Sequence, residues 1–310
     1  MNVLVTGGSG LVGSAIREVC DYYPQFKFTF VNSTDCNLLD FDDTVRLFQE
    51  VKPNYVIHLA ANVGGLFKNM KYNVEMLEDN LLINLNVVKC CRLFGVTKMV
   101  GCLSTCVYPA ETKYPIVEEY LHQGPPDQSN EGYAYSKRIL DVHLKACNKQ
   151  FNTEYISILP CNIYGPNDNY NLLDAHVIPA LIHQAYLAKL ENKPLVVKGT
   201  GTPLRQFIYS LDLANIIINL LVIGCVNTTI NVSTPQDHEV SIKTVAELIA
   251  KEFEIEQVIY DDEYNNGQYK KTVCNDNMVN ILGQYNIISI QEGIAKSVKW
   301  FKENYNRCRK

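Results

Sequence analysis

A tyrosine and a lysine four positions apart, Tyr133 and Lys137, form a pair whose types and spacing could do chemistry. On a helix, residues four apart lie on the same face. The lysine charge can then lower the tyrosine pKa, so that the phenol can exchange a proton with a substrate oxygen. The spacing is also common on solvated helix faces, so its meaning depends on the elements around it.

Three further residues could act on the same substrate. Ser104 ends the apolar segment Met99–Ser104, where its hydroxyl can hydrogen-bond the oxygen that Tyr133 meets. Cys106 follows at once and can abstract a proton as a thiolate if it faces a cleft. His176 is a candidate for delivering protons to the opposite side of a carbon. The ordinary alternatives are a strand-terminating serine, a buried core cysteine and a helix-capping or surface histidine.

A glycine-rich turn precedes the first predicted helix. Gly7, Gly10 and Gly13 have the spacing G-x-x-G-x-x-G. Such glycines allow a tight turn, close approach to a pyrophosphate and close packing of a helix on a strand. The helix N-terminus presents free N–H groups and a positive dipole end to the phosphates. The position at the start of a strand–helix–strand pattern favours a dinucleotide site over a plain tight turn.

The end of the second predicted strand bears on which dinucleotide is bound. NAD sites usually place Asp or Glu there for the ribose 2′-hydroxyl, and NADP sites usually place Arg. Asn32, Ser33 and Thr34 are neither, and Asp35 comes late. Because no acid repels a 2′-phosphate, NADP is favoured.

Short apolar runs alternate with helix-period segments in the first half of the chain. The predicted strands are Val3–Val5, Phe26–Val31, Tyr55–Leu59, Met99–Ser104 and Tyr155–Leu159, and the predicted helices are Leu11–Cys20, Asp42–Val51, Val74–Phe94 and Tyr133–Gln150. This order predicts an α/β fold, a doubly wound parallel sheet (Rossmann) with helices on both faces. Ligands of such sheets bind at the carboxyl ends of the strands.

The pattern changes after Gly165-Pro166, where helices dominate and the predicted strands Leu195–Val197, Ile230–Val232 and Gln257–Tyr260 are shorter. We therefore predict a smaller C-terminal α/β substrate lobe. The dinucleotide-binding domain would cover residues 1–165, with about 206–233 returning to it. The second domain would cover about 166–205 and 234–310, and a cleft would open between them.

Composition excludes several other classes of protein. The 310 residues include 28 Lys+Arg and 33 Asp+Glu, so the net charge of −5 offers no strong basic field for nucleic acid or an anionic membrane. No run approaches the roughly 20 apolar residues of a membrane span, and the N-terminus lacks signal-peptide features. The 11 cysteines are scattered without zinc-like spacing. We expect a cytoplasmic enzyme with reduced thiols and no metal.

These features together resemble the extended short-chain dehydrogenase/reductase family, in its sugar-nucleotide branch. The resemblance is carried by Gly7–Gly13, His58–Leu66, Ser104–Pro109, Tyr133–Lys137, Asn162–Asn169, His176–Pro179 and Gly199–Phe207. The Val-Gly-Gly of the second stretch and the Ser-Thr-Cys of the third are far more specific than the glycine turn. Related sugar dehydratases place an Asp-Glu pair at positions 106 and 107, where this chain has Cys106 and Val107. The chain is therefore similar to the branch that epimerises and reduces a 4-keto sugar.

The resemblance implies a substrate, GDP-4-keto-6-deoxy-D-mannose, and a product, GDP-L-fucose. Cys106 would act as base and His176 as acid, inverting C3 and C5. NADPH would reduce the 4-ketone, with Ser104 and Tyr133 on its oxygen and Lys137 on the nicotinamide ribose. A homodimer built on the helices Val74–Phe94 and Tyr133–Gln150 is implied, and the metabolic partner would be GDP-mannose 4,6-dehydratase.

The resemblance also assigns contact residues, position by position. The implied cofactor (NADP) contacts are Gly7, Gly8, Ser9, Gly10, Leu11, Val12, Gly13, Asp40, Leu59, Ala60, Ala61, Leu103, Ser104, Tyr133, Lys137, Pro160, Asn162, Ile163 and His176. The implied substrate contacts are Ser104, Tyr133, Gln184, Lys198, Arg205 and Lys271, with Arg205 and Lys271 on the diphosphate. The chain departs from relatives at Lys198, where a Trp can occur, at Gln184, where a basic residue can occur, and at Asn266, where an Asp can occur.

Two alternatives remain open. The first is another sugar-nucleotide epimerase or reductase of the same fold. A 4-epimerase, for example, would need no Cys106/His176 pair and would recycle a bound cofactor. A regulatory NADP-binding protein without turnover would be expected to lose Tyr133 or Lys137, and both are present.

Overall fold

The computed structural model describes residues 1–223, 228–264 and 268–310. The strands are β1 (Asn2–Thr6), β2 (Lys27–Val31), β3 (Tyr55–His58), β4 (Lys98–Cys102), β5 (Glu154–Pro160), β6 (Asn162–Tyr164), β7 (Leu195–Lys198), β8 (Leu204–Arg205), β9 (Phe207–Tyr209), β10 (Thr229–Val232), β11 (Val240–Ser241) and β12 (Val258–Asp261). The helices are α1 (Leu11–Val19), α2 (Phe41–Val51), α3 (Leu66–Lys71), α4 (Asn73–Leu93), α5 (Glu131–Phe151), α6 (Val177–Leu190), α7 (Ser210–Ile223), α8 (Ile242–Glu252), α9 (Asp276–Leu282) and α10 (Ile290–Asn304).

The main sheet confirms the predicted doubly wound fold. Its strand order is β10-β5-β4-β3-β1-β2, and every neighbouring pair is parallel. Helices α1 and α7 pack together, while α2, α4 and α5 form another packed group. The side chains of Val3, Leu4 and Val5 in β1 are completely buried, as a strand covered on both faces requires. The chain turns from one half of the sheet to the other at β1 and β3, so a crevice opens at their carboxyl ends.

The edge strand β10 shows that the chain returns to the main sheet. The segment Ile230–Val232 lies among the short strands of the second half in the sequence. In the structure Thr229–Val232 pairs with β5, Ile230 opposite Ile158. Helix α7 leads into it and packs on α1. The domain limits themselves stay a prediction.

A second hydrophobic cluster lies under the C-terminal elements. The rings of Tyr170 and Phe301 are 4.5 Å apart between centroids, and Tyr164 packs edge-on against Tyr209 at 5.6 Å. Three two-stranded sheets surround this cluster: β6 with β9, β7 with β12 and β8 with β11. Aromatic burial on this scale supplies much of the packing energy that such short strands cannot supply themselves.

Element ends differ from the predictions where side chains cap them. Helix α2 begins at Phe41 because the Asp40 carboxylate accepts a hydrogen bond from the N–H of Asp43 at 2.8 Å. Strand β4 ends at Cys102, before Ser104, which caps a short 3₁₀ turn, Thr105–Val107. Hydrophobic periodicity gives no sign of such caps.

Asp168 makes stability depend on pH. Burial raises the pKa of its carboxyl from 3.8 to about 7, and its Oδ2 has no hydrogen-bond partner among the described residues. The folded state therefore holds this proton more tightly than the unfolded state, and stability is lost as pH rises from 3.8 to about 7. We expect Asp168→Asn to stabilise the protein by about 1–3 kcal/mol at pH 8 and hardly at all near pH 4. Urea unfolding at both pH values measures this; an equal effect at both would contradict it.

Candidate active site

The glycine turn between β1 and α1 has the shape that a dinucleotide needs. Gly7 has φ +72°, and a Cβ there would lie 2.9 Å from the amide nitrogen of Ala60. A Cβ on Gly13 would lie 2.5 Å from the carbonyl oxygen of Gly7. Gly10 caps α1 without a side-chain hydrogen bond, and the first turn of α1 holds no acidic residue. The N–H groups of that turn thus fit a pyrophosphate, which supports the predicted nucleotide contacts.

A buried polar chain, which the sequence analysis missed, fixes the loop after β3 beside this turn. Thr6 Oγ1 lies 2.8 Å from His58 Nδ1, and His58 Nε2 lies 3.1 Å from Asn84 Oδ1. Burial lowers the pKa of His58 to about 3, so the imidazole is neutral and donates to Asn84. The Ala60 N–H donates to Thr6 Oγ1 at 3.3 Å. These hydrogen bonds tie Ala60, one of the predicted cofactor contacts after β3, to the end of β1 beside the glycine turn.

The end of β4 places Ser104 and Cys106 side by side. The hydroxyl of Ser104 accepts from the N–H of Cys106 at 3.4 Å, within the 3₁₀ turn. Leu103 is held by its N–H, which donates to the carbonyl of Ile158 at 2.8 Å. The turn carries both predicted catalytic groups into the crevice at the carboxyl end of the sheet.

Lys137 and Tyr133 lie on one face of α5, as predicted, but the electrostatic expectation for them is wrong. The Lys137 ammonium donates to the carbonyl of Cys102 at 2.8 Å and lies 5.8 Å from the centroid of the Tyr133 ring. Burial raises the pKa of Tyr133 well above 10, and the nearby thiols of Cys106 and Cys102 raise it further. Desolvation is the largest of these effects on the pKa of Tyr133. At neutral pH the phenol is therefore protonated, the form that gives a proton to an oxygen becoming negative.

Four of the predicted site side chains combine access to solvent with desolvation of their charged forms. Tyr133, Cys106 and Lys271 are half-buried and His176 is exposed, yet protein surrounds each closely enough to penalise its charged form. Burial raises the pKa of the Cys106 thiol, while Lys271, Ser104 and Lys137 lower it. Burial lowers the pKa of His176. Solvent access together with desolvation is typical of catalytic pockets.

His176 lies at the N-cap of α6, at the end of the loop before that helix. The N–H of Gly65 donates to the carbonyl of Asp174 at 3.0 Å, so the Val-Gly-Gly segment contacts this loop directly. Among the described residues no hydrogen bond joins the His176 side chain to Cys106. The predicted roles of Cys106 as base and His176 as acid require the substrate carbon to lie between their side chains, so that one removes a proton from one face and the other adds a proton to the opposite face.

Two cations mark the predicted diphosphate end of the cleft. The Arg205 guanidinium donates to the carbonyls of Leu204 at 2.7 Å and Gln268 at 2.6 Å. Lys271 has its pKa lowered by burial, and the charge of Arg205 lowers it further, which places the two charges near each other. Neither has a carboxylate within 4.0 Å among the described residues. The sequence analysis missed Asp127, whose charge opposes these effects on Lys271.

The remaining predicted contacts occupy varied positions. Asn162 and Ile163 lie in β6, where the Asn162 amide donates to the carbonyl of Gln206 at 2.9 Å, and Pro160 ends β5. Two further predicted substrate contacts lie in other elements. Gln184 lies in α6, and the ammonium of Lys198, at the end of β7, lies 4.9 Å from the centroid of the Tyr264 ring. Asp40 caps α2, and Asn266 lies outside the described residues. Their contacts with cofactor and substrate stay predictions.

The described part of the chain offers neither a cluster of metal ligands nor a helix that could span a membrane. Within 1–223, 228–264 and 268–310 no group of three or more His, Cys, Asp and Glu side chains could hold a metal ion. In the same part of the chain, every helix is too short or too polar to cross a membrane.

Comparison with known proteins agrees with this geometry. The model of the NAD dependent epimerase/dehydratase family matches residues 3–233. A GDP-L-fucose synthase of Dictyostelium discoideum is 46% identical over 99% of this chain and 97% of its own length. That of Escherichia coli (strain K12) is 33% identical over 99% and 98%. The crystal structure of a GDP-L-fucose synthetase from Naegleria fowleri bound to NADP has a TM-score of 0.93 and 39% identity, covering 100% of this chain and 95% of that one. The chain therefore belongs to the NAD dependent epimerase/dehydratase family.

Proposed function

We propose that the protein is an NADPH-dependent enzyme that converts GDP-4-keto-6-deoxy-D-mannose into GDP-L-fucose. The observation that carries this proposal is the hydrogen bond between Cys106 and Ser104 after β4, together with the influence of Cys106 on the pKa of Tyr133, in a fold whose relatives include GDP-L-fucose synthases. The 4-epimerase alternative needs no such cysteine, and a regulatory protein needs no protonated Tyr133.

The 4-ketone of the substrate explains why one pocket can invert two carbons. A carbonyl acidifies the hydrogens on both adjacent carbons, C3 and C5, and an enolate forms when either proton leaves. Cys106 removes the proton as a thiolate and His176 returns one to the opposite face as an imidazolium. Ser104 and Tyr133 hydrogen-bond the enolate oxygen, where charge develops, and such contacts are usually the largest catalytic contribution.

The same oxygen becomes an alkoxide during reduction of C4, and Tyr133 protonates it. The phenol suits this role because its raised pKa keeps the proton in place until the oxygen turns basic. NADPH would be held by the N–H groups of the glycine turn and would supply the hydride. The Cys102 carbonyl fixes Lys137 beside the reacting groups, where burial lowers the pKa of its ammonium. Arg205 and Lys271 hold the diphosphate of the sugar nucleotide.

Mixing the protein with GDP-4-keto-6-deoxy-D-mannose and NADPH, while following nicotinamide absorbance and identifying the sugar, tests the proposal. Substrate-dependent oxidation with GDP-L-fucose as product is expected. Oxidation that gives an uninverted deoxy sugar would remove the roles of Cys106 and His176. No oxidation would contradict the proposed function as a whole.

The pH dependence of epimerisation follows from the two pKa shifts. The pair needs a thiolate and an imidazolium, yet the pKa of Cys106 is raised from 9.0 and that of His176 is lowered from 6.5. Between the two pKa values, each unit of increase in pH raises the thiolate fraction of Cys106 tenfold and lowers the imidazolium fraction of His176 tenfold. The fraction of enzyme that holds both forms is therefore constant and small. Because the two shifts move the pKa values apart, we expect kcat/KM for solvent-deuterium exchange at C3 and C5 to be flat throughout pH 6.5 to 9.0. It should fall only below the lowered pKa of His176 and above the raised pKa of Cys106. A narrow maximum within that window would contradict the assignment.

A homodimer and a cytoplasmic location extend the proposal. Helices α4 and α5 pack together and expose apolar side chains, Leu82 and Leu85 on α4 and Ile139 and Val142 on α5. A patch of this kind on paired helices supports a four-helix interface with a second copy. The dehydratase GDP-mannose 4,6-dehydratase is the metabolic partner that the proposed substrate requires.

A further inference from the structure

Gln206 is a completely buried amide between the cation Arg205 and strand β9. Its Nε2 donates to the carbonyl of Thr234 at 2.7 Å and to that of Val273 at 3.3 Å. Its Oε1 accepts from the N–H of Val273 at 2.8 Å. The side chain thus pairs with both backbone groups of Val273, as a neighbouring strand would.

Val273 lies in the segment 268–274, which also carries Lys271 and forms an isolated β-bridge to Ile116 at Val273. Gln206 holds this segment at Val273, and Arg205 holds it at Gln268 through its guanidinium, at 2.6 Å. Two consecutive residues therefore fasten both ends of the stretch that contains Lys271. The segment is also bonded on its other side, where the N–H of Ile116 donates to the carbonyl of Thr272 at 2.8 Å.

This fastening opposes an electrostatic cost. Arg205 and Lys271 repel each other, and neither has a carboxylate within 4.0 Å among the described residues. Asp127 attracts Lys271 and Glu239 attracts Arg205, and hydrogen bonds to the backbone of the segment add to these attractions. The amide of Gln206 supplies such bonds without neutralising either cation.

We propose that Gln206 is a positioning residue that holds Arg205 and Lys271 together as one subsite for the diphosphate of the sugar nucleotide. The inference rests on the proposed function for the identity of that ligand. An amide suits this position because it donates to the carbonyls of Thr234 and Val273 while it accepts from the N–H of Val273, whereas a carboxylate has no proton to donate. A carboxylate would also pair with the cations and compete with the phosphates.

Gln206→Glu is the most informative variant. We expect it to weaken GDP binding, measured by calorimetry at pH 8, by about 10- to 100-fold. NADPH affinity should change less than about 2-fold, because Asn162 contacts the backbone carbonyl of Gln206, which the substitution keeps. A general loss of structure would weaken both ligands alike.

Protonation gives a second readout. A protonated carboxyl in the Q206E variant can again donate to a carbonyl, so its GDP affinity relative to wild type at the same pH should recover as pH falls from 8 to 5.5. If Q206E does not fold, Gln206→Met takes its place, with a loss of about 3- to 10-fold expected.

Asn148→Asp is the matched control. Asn148 is a buried amide on α5 that likewise bonds both backbone groups of one residue, Tyr155, at 2.7 and 2.8 Å. It lies away from the 268–274 segment, so GDP affinity should stay at the wild-type value. Unchanged GDP binding in Q206E, or an equal loss in N148D, overturns the proposal.

Different results would contradict the positioning role of Gln206 and the proposed function of the protein. Wild-type protein that binds GDP in the expected pattern but does not convert the keto sugar would overturn the function and support the role of Gln206. Conversion of the keto sugar together with equal GDP affinity in wild type and Q206E would overturn only the role of Gln206.

Discussion

Tyr133→Phe is expected to slow substrate-dependent NADPH oxidation by about 10²- to 10⁴-fold. The phenol is the proton donor for the oxygen at C4, and the substitution removes that proton while keeping the ring. Burial raises the pKa of this phenol well above 10, and the charge of Cys106 raises it further. Neither Ser104 nor bulk water can replace a positioned donor in such surroundings. Single-turnover absorbance of NADPH measures the hydride step directly.

Tyr135→Phe provides the control for this prediction. Tyr135 lies on the same helix but is exposed, with the Arg138 guanidinium 5.5 Å from its ring centroid. Its substitution should leave the rate of NADPH loss at the wild-type value. A normal rate for Tyr133→Phe would remove Tyr133 from the mechanism.

Cys106→Ser is expected to reduce exchange of the C3 and C5 hydrogens with solvent by at least about 10²-fold. A serine hydroxyl is far less acidic than a thiol, so Lys271 and Lys137 cannot make it a useful base at neutral pH. Proton magnetic resonance of the keto sugar in D₂O without NADPH follows this exchange alone. NADPH binding should be unchanged. Leu103 is a predicted cofactor contact, but Cys106 is not, and Cys106 has no hydrogen bond to the glycine turn among the described residues.

Cys102→Ser separates a catalytic thiol from a neighbouring one. Cys102 ends β4 and also influences Tyr133, but its side chain only donates to the carbonyl of Leu103. Exchange should stay within a few-fold of wild type in this variant, since the carbonyl that holds Lys137 is kept. Normal exchange in Cys106→Ser would overturn the role of Cys106 as base.

The parts of the fold that depend on short-range pattern could be predicted from the sequence. Val3–Val5 reads as a covered strand, and the spacing of Gly7, Gly10 and Gly13 requires a turn into a helix, since side chains there would collide. Helix α5 follows from its periodicity, and with it the shared face of Tyr133 and Lys137. These features needed only local rules, and the comparisons agree with the fold they gave.

What depends on desolvation or on long-range pairing could not be predicted. The carbonyl of Cys102 holds Lys137, and burial, not the lysine charge, governs the pKa of Tyr133. The hydrogen bond between Gln206 and Val273 joins segments far apart in the sequence, and no periodic pattern in either segment predicts it. Short pieces such as β8 and β11 arise from tertiary pairing alone.

The most direct test of the central claim, that one pocket both inverts and reduces the sugar, is to run the full reaction with NADPH in D₂O. The account predicts GDP-L-fucose with deuterium at C3 and C5 and protium at C4, because the first two hydrogens come from solvent and the third from the cofactor. A reduced sugar with protium at C3 and C5 and unchanged configuration would contradict it.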